Sequence, residues 1–340
     1  MVDVPSPVEG VRLRPPTPAD APAVHALLEA CYAEDDAQER DTLEDVQEQF
    51  ATPWWDHARQ GLLAVTDDGQ VVGHAQVMLR PGQLRTRQVL LFGGVHPRLR
   101  RRGLGRVLLD WQVARAQEVL AGVQAGPDVP RMLRTYVEDH VTDRPRLLRS
   151  AGFEPRRFSA TMGREVSGPL PEVPLPADVR LVRLDSAGPE AHEQARRAHN
   201  EAFADHWGSE PIEPDDWRRA AVEGPGARPD LSFVALDGDG TTVGYLISGT
   251  YPQDWQPQGF SEGWTNLLGV APARRGQGLA RALLLRAVAA YAEAGLDRAG
   301  LAVDVENPRA LELYTGLGYV ERGRETSWVR DVPVAPYPEK

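Results

Sequence analysis

The sequence predicts an α/β fold (α+β, with a mixed sheet) repeated as two tandem domains of one kind. Three observations carry this. Landmarks recur in the same order in the two halves of the 340 residues: Val11-Arg-Leu-Arg and Val179-Arg-Leu-Val, Val95-His-Pro and Val270-Ala-Pro, Gly152-Phe153 and Gly318-Tyr319. Each copy mixes strand and helix patterns, which excludes a bundle or a sandwich. Between the copies lies GPLPEVPLPADV, with Pro169, Pro171, Pro174 and Pro176, too proline-rich for a helix or a central strand. The predicted division is therefore a first domain over 1–167, a linker over 168–178 and a second domain over 179–340.

Each copy opens on a strand, 11–14 and 179–184, followed by helical stretches at 19–32 and 43–50, then 188–206 and 214–222. Two apolar runs around Asp68-Gly69 (61–79) and around Asp239-Gly240 (231–250) read as hairpins, because Asp-Gly supplies the tight turn. Strands at 87–95 and 263–270 lead into long helices at 103–121 and 278–294. Leu104, Leu108 and Trp111, and Leu279, Leu283, Ala287 and Ala290, recur there at helical spacing. A strand (131–138; 298–305), a helix (143–150; 307–316) and terminal strands complete each copy.

Composition narrows the function. The balance of 38 basic against 49 acidic residues gives a net charge of −11, the wrong sign for a partner of nucleic acid or anionic lipid. Lys340 is the only lysine, as a GC-rich genome would produce. The lone Cys31 allows no intrachain disulfide, no Cys/His cluster has zinc spacing, and no metal is expected. The start, MVDVPSPVEG, lacks signal-peptide character, and no apolar run approaches membrane-helix length; a soluble, cytoplasmic protein is expected.

The chemistry is concentrated where the strands ending at Val95 and Val270 meet the long helices. Both junctions follow Val-x-Pro with Arg-x-x-Gly-x-(Gly/Ala): Arg100-Arg101-Arg102-Gly103-Leu104-Gly105, and Arg275-Gly276-Gln277-Gly278-Leu279-Ala280. A strand feeding a small-residue turn at a helix start aims several free backbone N–H groups and the positive end of the helix dipole at one point. Such a nest suits a pyrophosphate, with the arginines adding charge. The pattern is neither a dinucleotide fingerprint, which belongs in the first βα turn, nor a Walker A loop, which needs a lysine.

At these residues the chain resembles the GNAT superfamily of N-acetyltransferases, whose acyl-CoA site carries Gln/Arg-x-x-Gly-x-Gly/Ala at the start of a long helix. The second copy adds that family's downstream pattern, Leu301-x-Val303, Asn307-x-x-Ala310 and Tyr314-x-x-x-Gly318-Tyr319. The resemblance spans almost the whole chain as a tandem pair, and among tandem members it is similar to the actinobacterial mycothiol synthase type. It implies transfer of acetyl from acetyl-CoA to an amine by direct attack, with catalysis in the carboxy-terminal copy. The turn around Arg275, Gly276, Gln277, Gly278, Leu279 and Ala280 would hold the coenzyme's pyrophosphate, with Asn307 beside it. The strand end at Leu268 and Val270 would pair with its arm and polarise the thioester. Tyr314 would be the general acid for the departing thiolate. In the first copy the turn persists as Val95, Arg100, Arg101, Arg102, Gly103, Leu104 and Gly105. Leu148 stands opposite Tyr314 and Val141 opposite Asn307, so this copy is expected to be a degenerate binder or a scaffold.

A base must take the amine's proton. Glu262 opens the strand that carries the thioester and shares a side of it with Trp264 and Asn266 by alternation. The mycothiol synthase type would place a glutamate nearer Trp264, a departure in this chain. Asp205 and His206 are rival bases and, with Trp207, expected acceptor-site residues, in a stretch that also holds Glu210, Glu213, Asp215 and Trp217. Acidic groups among aromatics suit a cationic small-molecule amine. Asp304 and Glu306 are further carboxylates at a strand end. The alternatives are acetylation of a protein or peptide, and a non-catalytic acyl-CoA sensor. Acceptor identity and oligomeric state leave no mark in the sequence.

Overall fold

The computed structural model describes residues 5–123, 129–203 and 209–333. The chain forms two compact units, Met1–Arg157 with Thr326–Lys340, and Phe158–Glu325. Among the described residues no helix is long and apolar enough to cross a membrane.

The first unit runs β1 (Val11–Arg14), α1 (Ala21–Asp35), α2 (Leu43–Ala51), α3 (His57–Gln60), β2 (Gly61–Thr66), β3 (Val71–Leu79), β4 (Arg87–Val95), α4 (Leu104–Ala121), β5 (Arg131–Glu138), α5 (Arg144–Ser150) and the start of β6 (Glu154–Glu165). Its strands lie in the order β1-β2-β3-β4-β5, antiparallel up to β4 and parallel between β4 and β5. Leu104, Leu108 and Leu120 of α4 bury against one face of the sheet, with Ala75, Val77 and Val89. Leu27 and Cys31 of α1 and Phe50 of α2 cover the other face at Leu63 and Val65. That two-sided cover explains why β2 and β3 read as nearly continuous apolar runs.

The second unit repeats the plan with β7 (Arg180–Arg183), α6 (Leu184–Ala202), α7 (Pro214–Arg218), β8 (Phe233–Leu236), β9 (Thr242–Gly249), α8 (Pro252–Gln258), β10 (Glu262–Val270), α9 (Leu279–Glu293), β11 (Arg298–Asp304), α10 (Pro308–Thr315) and β12 (Val320–Asp331). Gly188, at φ 80° and ψ 165°, breaks α6 just before Pro189, as a Gly-Pro pair should. α7 passes into a π-helical turn over Arg219–Glu223, and neither α3 nor α8 announces itself in the pattern. Leu283, Leu284 and Val288 of α9 fill one face of this sheet. Leu184, Ala195 and Ala198 of α6 fill the other, against Tyr245 and Ile247.

Strand partners depart from the simple repeat. Residues 159–165 of β6 pair antiparallel with β11 inside the second unit. The end of β12 belongs to the first unit: Ser327 Oγ accepts from Arg134 Nε at 2.7 Å, and Val332 N donates to Arg131 O at 2.9 Å. Residues 168–178 carry neither helix nor strand, and Leu170 and Val173 pack on the second unit's core.

In each unit one strand loses its neighbour part-way along. β4 pairs with β3 over Val89–Val95 but with β5 only over Arg87–Leu90. β10 pairs with β9 from Trp264 to Val270 but with β11 only from Glu262 to Thr265, with a register shift between Thr265 and Leu267. The result is a fork, with open strand edges at 91–95 and 266–270 that lead to the starts of α4 and α9.

Candidate active site

The turn at the open end of each fork has the conformation its glycines imply. Gly276 (φ 77°) and Gly278 (φ 81°) are left-handed, as are Arg101 (φ 62°) and Gly103 (φ 87°) in the first unit. Gly278 precedes α9, and the first recorded bond into the helix runs from Ala282 N to Gly278 O at 3.0 Å. The N–H groups of Gly276, Gln277, Gly278, Leu279 and Ala280 lie ahead of that donor, on the positive end of the dipole. A Cβ on Gly276 would meet nothing within 4 Å, so the nest is open to a ligand. Leu279 and Leu104 are fully buried and anchor the helix starts, while Gln277 and Arg102 are exposed.

The first arginine of each turn does something the pattern does not specify. Arg275 Nε donates to Val270 O at 3.3 Å and Arg100 Nε to Val95 O at 3.1 Å, each guanidinium tying the turn to the strand end. Arg100 is further held by both oxygens of Asp35, which also binds Arg144 at 2.9 Å, and this pairing holds its guanidinium in the charged form. These arginines shape the nest from behind. Gly105 and Ala280 occupy equivalent places in the two helix starts, and a methyl on Gly105 would rest 3.6 Å from Leu147.

Tyr314 lies on α10 and is 8% exposed, its ring 6.0 Å from that of Tyr319. Burial pushes its hydroxyl pKa up to about 12, so the phenol stays protonated at neutral pH. Among the described residues none hydrogen-bonds that hydroxyl. Asn307 caps the same helix, Oδ1 accepting from Ala310 N at 3.2 Å; its side-chain oxygen thus serves the helix that carries Tyr314. Leu268, half-buried, packs against the same core from the open edge of β10.

In the first unit buried Leu148 of α5 stands where the phenol would be, while the cap position of that helix falls on Asp143, whose side chain makes no capping bond, and not on Val141 as the sequence spacing implies. A cavity of about 190 Å³ follows the fork there, lined by Gly93, Gly94, Arg100, Gly105, Tyr136 and Leu148 among others. Its inner end is polar: Thr135 Oγ1 donates to Leu91 O at 2.9 Å, and Gln112 Nε2 to Phe92 O at 2.7 Å.

Glu262 is engaged in an ion pair. It is 5% exposed, accepts from Arg322 Nη2 at 2.6 Å, and sits where β10 and β11 are still paired, opposite Arg298. Eight residues of strand, roughly 26 Å, separate it from the turn. The arrangement makes Glu262 half of a structural ion pair: alternation gives the face of a strand, not the partner waiting on it. Asp205, His206 and Trp207 lie outside the described residues. Asp304 Oδ1 accepts from Glu306 N at 2.9 Å, closing a turn. Trp217 is buried in the α6 core, near His199 and Tyr245.

One buried polar pair carries no motif. His199 Nδ1 and Tyr245 Oη lie 2.7 Å apart beneath the open edge, and a side chain on Gly269 would overlap the Tyr245 ring. Burial lowers the His199 pKa to about 4, leaving it neutral. The only sequence signal is a glycine inside a strand, a mark of close approach.

Comparison with known proteins agrees with this geometry. The model of the acetyltransferase (GNAT) family matches residues 21–136 and again 192–319. A mycothiol acetyltransferase of Geodermatophilus obscurus is 31% identical over 92% of this chain and 95% of its own length. One of Thermobispora bispora is 31% identical over 93% and 96%. Among solved structures, a GCN5-related N-acetyltransferase from Sphaerobacter thermophilus superposes with a TM-score of 0.72 at 26% identity, over 95% of this chain and 96% of that one. A tandem GNAT protein from the clavulanic acid biosynthesis pathway shares the fold, with a TM-score of 0.65 at 17% identity over 94% and 98%.

Proposed function

Because the chain belongs to the acetyltransferase (GNAT) family, as an acyl-CoA-dependent N-acetyltransferase, we propose that it acetylates a primary amine of a small molecule and that the carboxy-terminal unit does the chemistry. The observation that carries this is Tyr314: both units have the turn and the fork, but the second has a buried, protonated phenol on α10 where the first has Leu148. Acetyl-CoA supplies an activated acetyl group. The N–H groups from Gly276 to Ala280 receive its pyrophosphate, and the open edge at Leu268 to Val270 takes the arm and polarises the thioester carbonyl. The amine nitrogen bonds to the acetyl carbon as the carbon–sulfur bond breaks; Tyr314 gives its proton to the departing sulfur, the nitrogen's proton leaves to solvent, and the phenolate takes a proton back from solvent to close the cycle. The relatives named mycothiol acetyltransferases favour a small-molecule acceptor over a protein. We place the enzyme in the cytoplasm.

The first unit keeps the turn of Val95 and Arg100 to Gly105 and an open cavity, and we propose that it binds acyl-CoA without turning it over. Calorimetric titration of acetyl-CoA into the intact chain, Gly103→Trp and Gly278→Trp tests both statements. Two sites falling to one in either variant is expected. No binding by the intact chain would overturn the proposal.

A further inference from the structure

The fork of the second unit holds a polar pair that the transfer itself does not require. The last β10–β11 pair is Thr265 with Leu301, and the next residue, Asn266, is the extra one at the bulge. With the pyrophosphate at the turn and the arm following the open edge back from Val270, about 13 Å of strand away, the acyl group arrives beside Asn266. Tyr251 Oη donates to Asn266 Oδ1 at 3.0 Å. Two glycines make room for that phenol. A Cβ on Gly226 would lie 2.9 Å from Tyr251 Cε1, and one on Gly249 would lie 2.9 Å from its hydroxyl and 2.7 Å from Asn266 Nδ2. Gly226 is left-handed, at φ 77°, so no other residue fits easily there.

The pair occupies the face opposite the acid. Tyr245 and Ile247 of β9 bury among α6 residues, and Gly249 continues their alternation onto the same face; Tyr314 buries among α9 residues on the other. Sulfur leaves on Tyr314's side, so an amine attacking from the α6 side meets Asn266 first. The first unit has nothing similar: by the shared register Leu91 and Phe92 stand where Thr265 and Leu267 do, so the bulged Asn266 has no counterpart, and Met78 and Arg80 stand where Gly249 and Tyr251 do.

We propose that Asn266, oriented by Tyr251, is the specificity-determining residue for the acceptor, and that the acceptor is an amine bearing a hydroxyl or carbonyl oxygen close to its nitrogen. With Oδ1 engaged by the phenol, Asn266 presents its Nδ2 hydrogens, which bind an oxygen and have nothing to offer an ammonium. The inference rests on acetyl transfer in this unit. It is tested on the full chain by thiol release from acetyl-CoA with 2-amino-1,3-propanediol and with isopropylamine, which share a carbon skeleton and differ in the hydroxyls, compared as free base. The expected result is a preference for the diol, lowered about tenfold by Asn266→Ala, the loss of one well-made hydrogen bond. The isopropylamine rate and the KM for acetyl-CoA should stay within about twofold of the starting protein by the same reasoning. Tyr251→Phe, which removes the orienting bond and keeps the ring, should shift the preference in the same direction by less. Equal rates with the two amines, an equal loss with both in Asn266→Ala, or no amine-dependent release by a protein that binds acetyl-CoA would overturn the inference. Failure to bind acetyl-CoA would overturn the proposed function instead.

Discussion

Replacing Glu262 by Gln separates two roles for that carboxylate. In the structure Glu262 is buried, with Arg322 Nη2 at 2.6 Å, and the Arg322 guanidinium lies over Phe260 with 5.0 Å to the ring centroid. Its Nε is buried with no hydrogen-bond partner among the described residues, so the glutamate is the main compensation for a desolvated cation. Removing one charge of a buried pair costs about 3–5 kcal/mol; Gln keeps an acceptor, so about 2–3 kcal/mol is expected. In urea that lowers the midpoint by about 1 M, given a slope of roughly 2 kcal/mol per molar. Were Glu262 the general base, the loss would instead appear in turnover, by about 10²- to 10⁴-fold. Urea titration followed by circular dichroism, beside thiol release from acetyl-CoA under folding conditions, reads both. The expected result is a lower midpoint with kcat within about threefold of the starting protein, the range left when no transition-state contact is removed. An unchanged midpoint with a hundredfold fall in kcat would refute the structural assignment.

Stability should depend on pH through two buried histidines, His74 in the first unit and His199 in the second, whose pKa values burial lowers from 6.5 to about 4. The folded chain refuses protons that the unfolded chain accepts, so their contribution is full above pH 6.5 and is lost as pH falls toward 4; by pH 5 each costs about 2 kcal/mol. Urea midpoints at pH 7.5 and 5 check this, and equal midpoints would contradict it. Arg101 holds φ 62° where the second unit has Gly276 at 77°. Arg101→Gly should raise stability by about 0.5–1 kcal/mol in the same titration, by relieving a left-handed side chain; a loss of stability would show that the arginine is anchored by more than its backbone.

Much of this was legible because it is local. A glycine that must adopt positive φ leaves its mark at one position, so the turns at Gly103 and Gly278 are visible in the sequence, and their duplication exposes the tandem plan. Tyr314 is legible through the Asn307 cap and the Gly318-Tyr319 stop that frame its helix. What depends on distant partners is not. Alternation puts Glu262 on a face, but Arg322 arrives from β12, sixty positions on. Tyr251 and Asn266 meet across a bulge that no pattern announces. The strand partners of 159–165 and of 326–331 are set by pairing beyond the repeat, which local propensity does not encode. Arg100 and Arg275 look like phosphate ligands because charge is visible and direction is not; both reach back to strand carbonyls.

Tyr314→Phe measures the central claim most directly. The phenol has no hydrogen-bond partner among the described residues and Phe fills the same space, so the fold and the acetyl-CoA affinity should hold while kcat falls by about a hundredfold or more, the loss of a positioned acid. Gly103→Trp, which damages only the first unit's turn, should leave kcat essentially intact. A Tyr314→Phe enzyme that keeps its rate, together with a Gly103→Trp enzyme that loses it, would put the chemistry in the other unit and contradict the account.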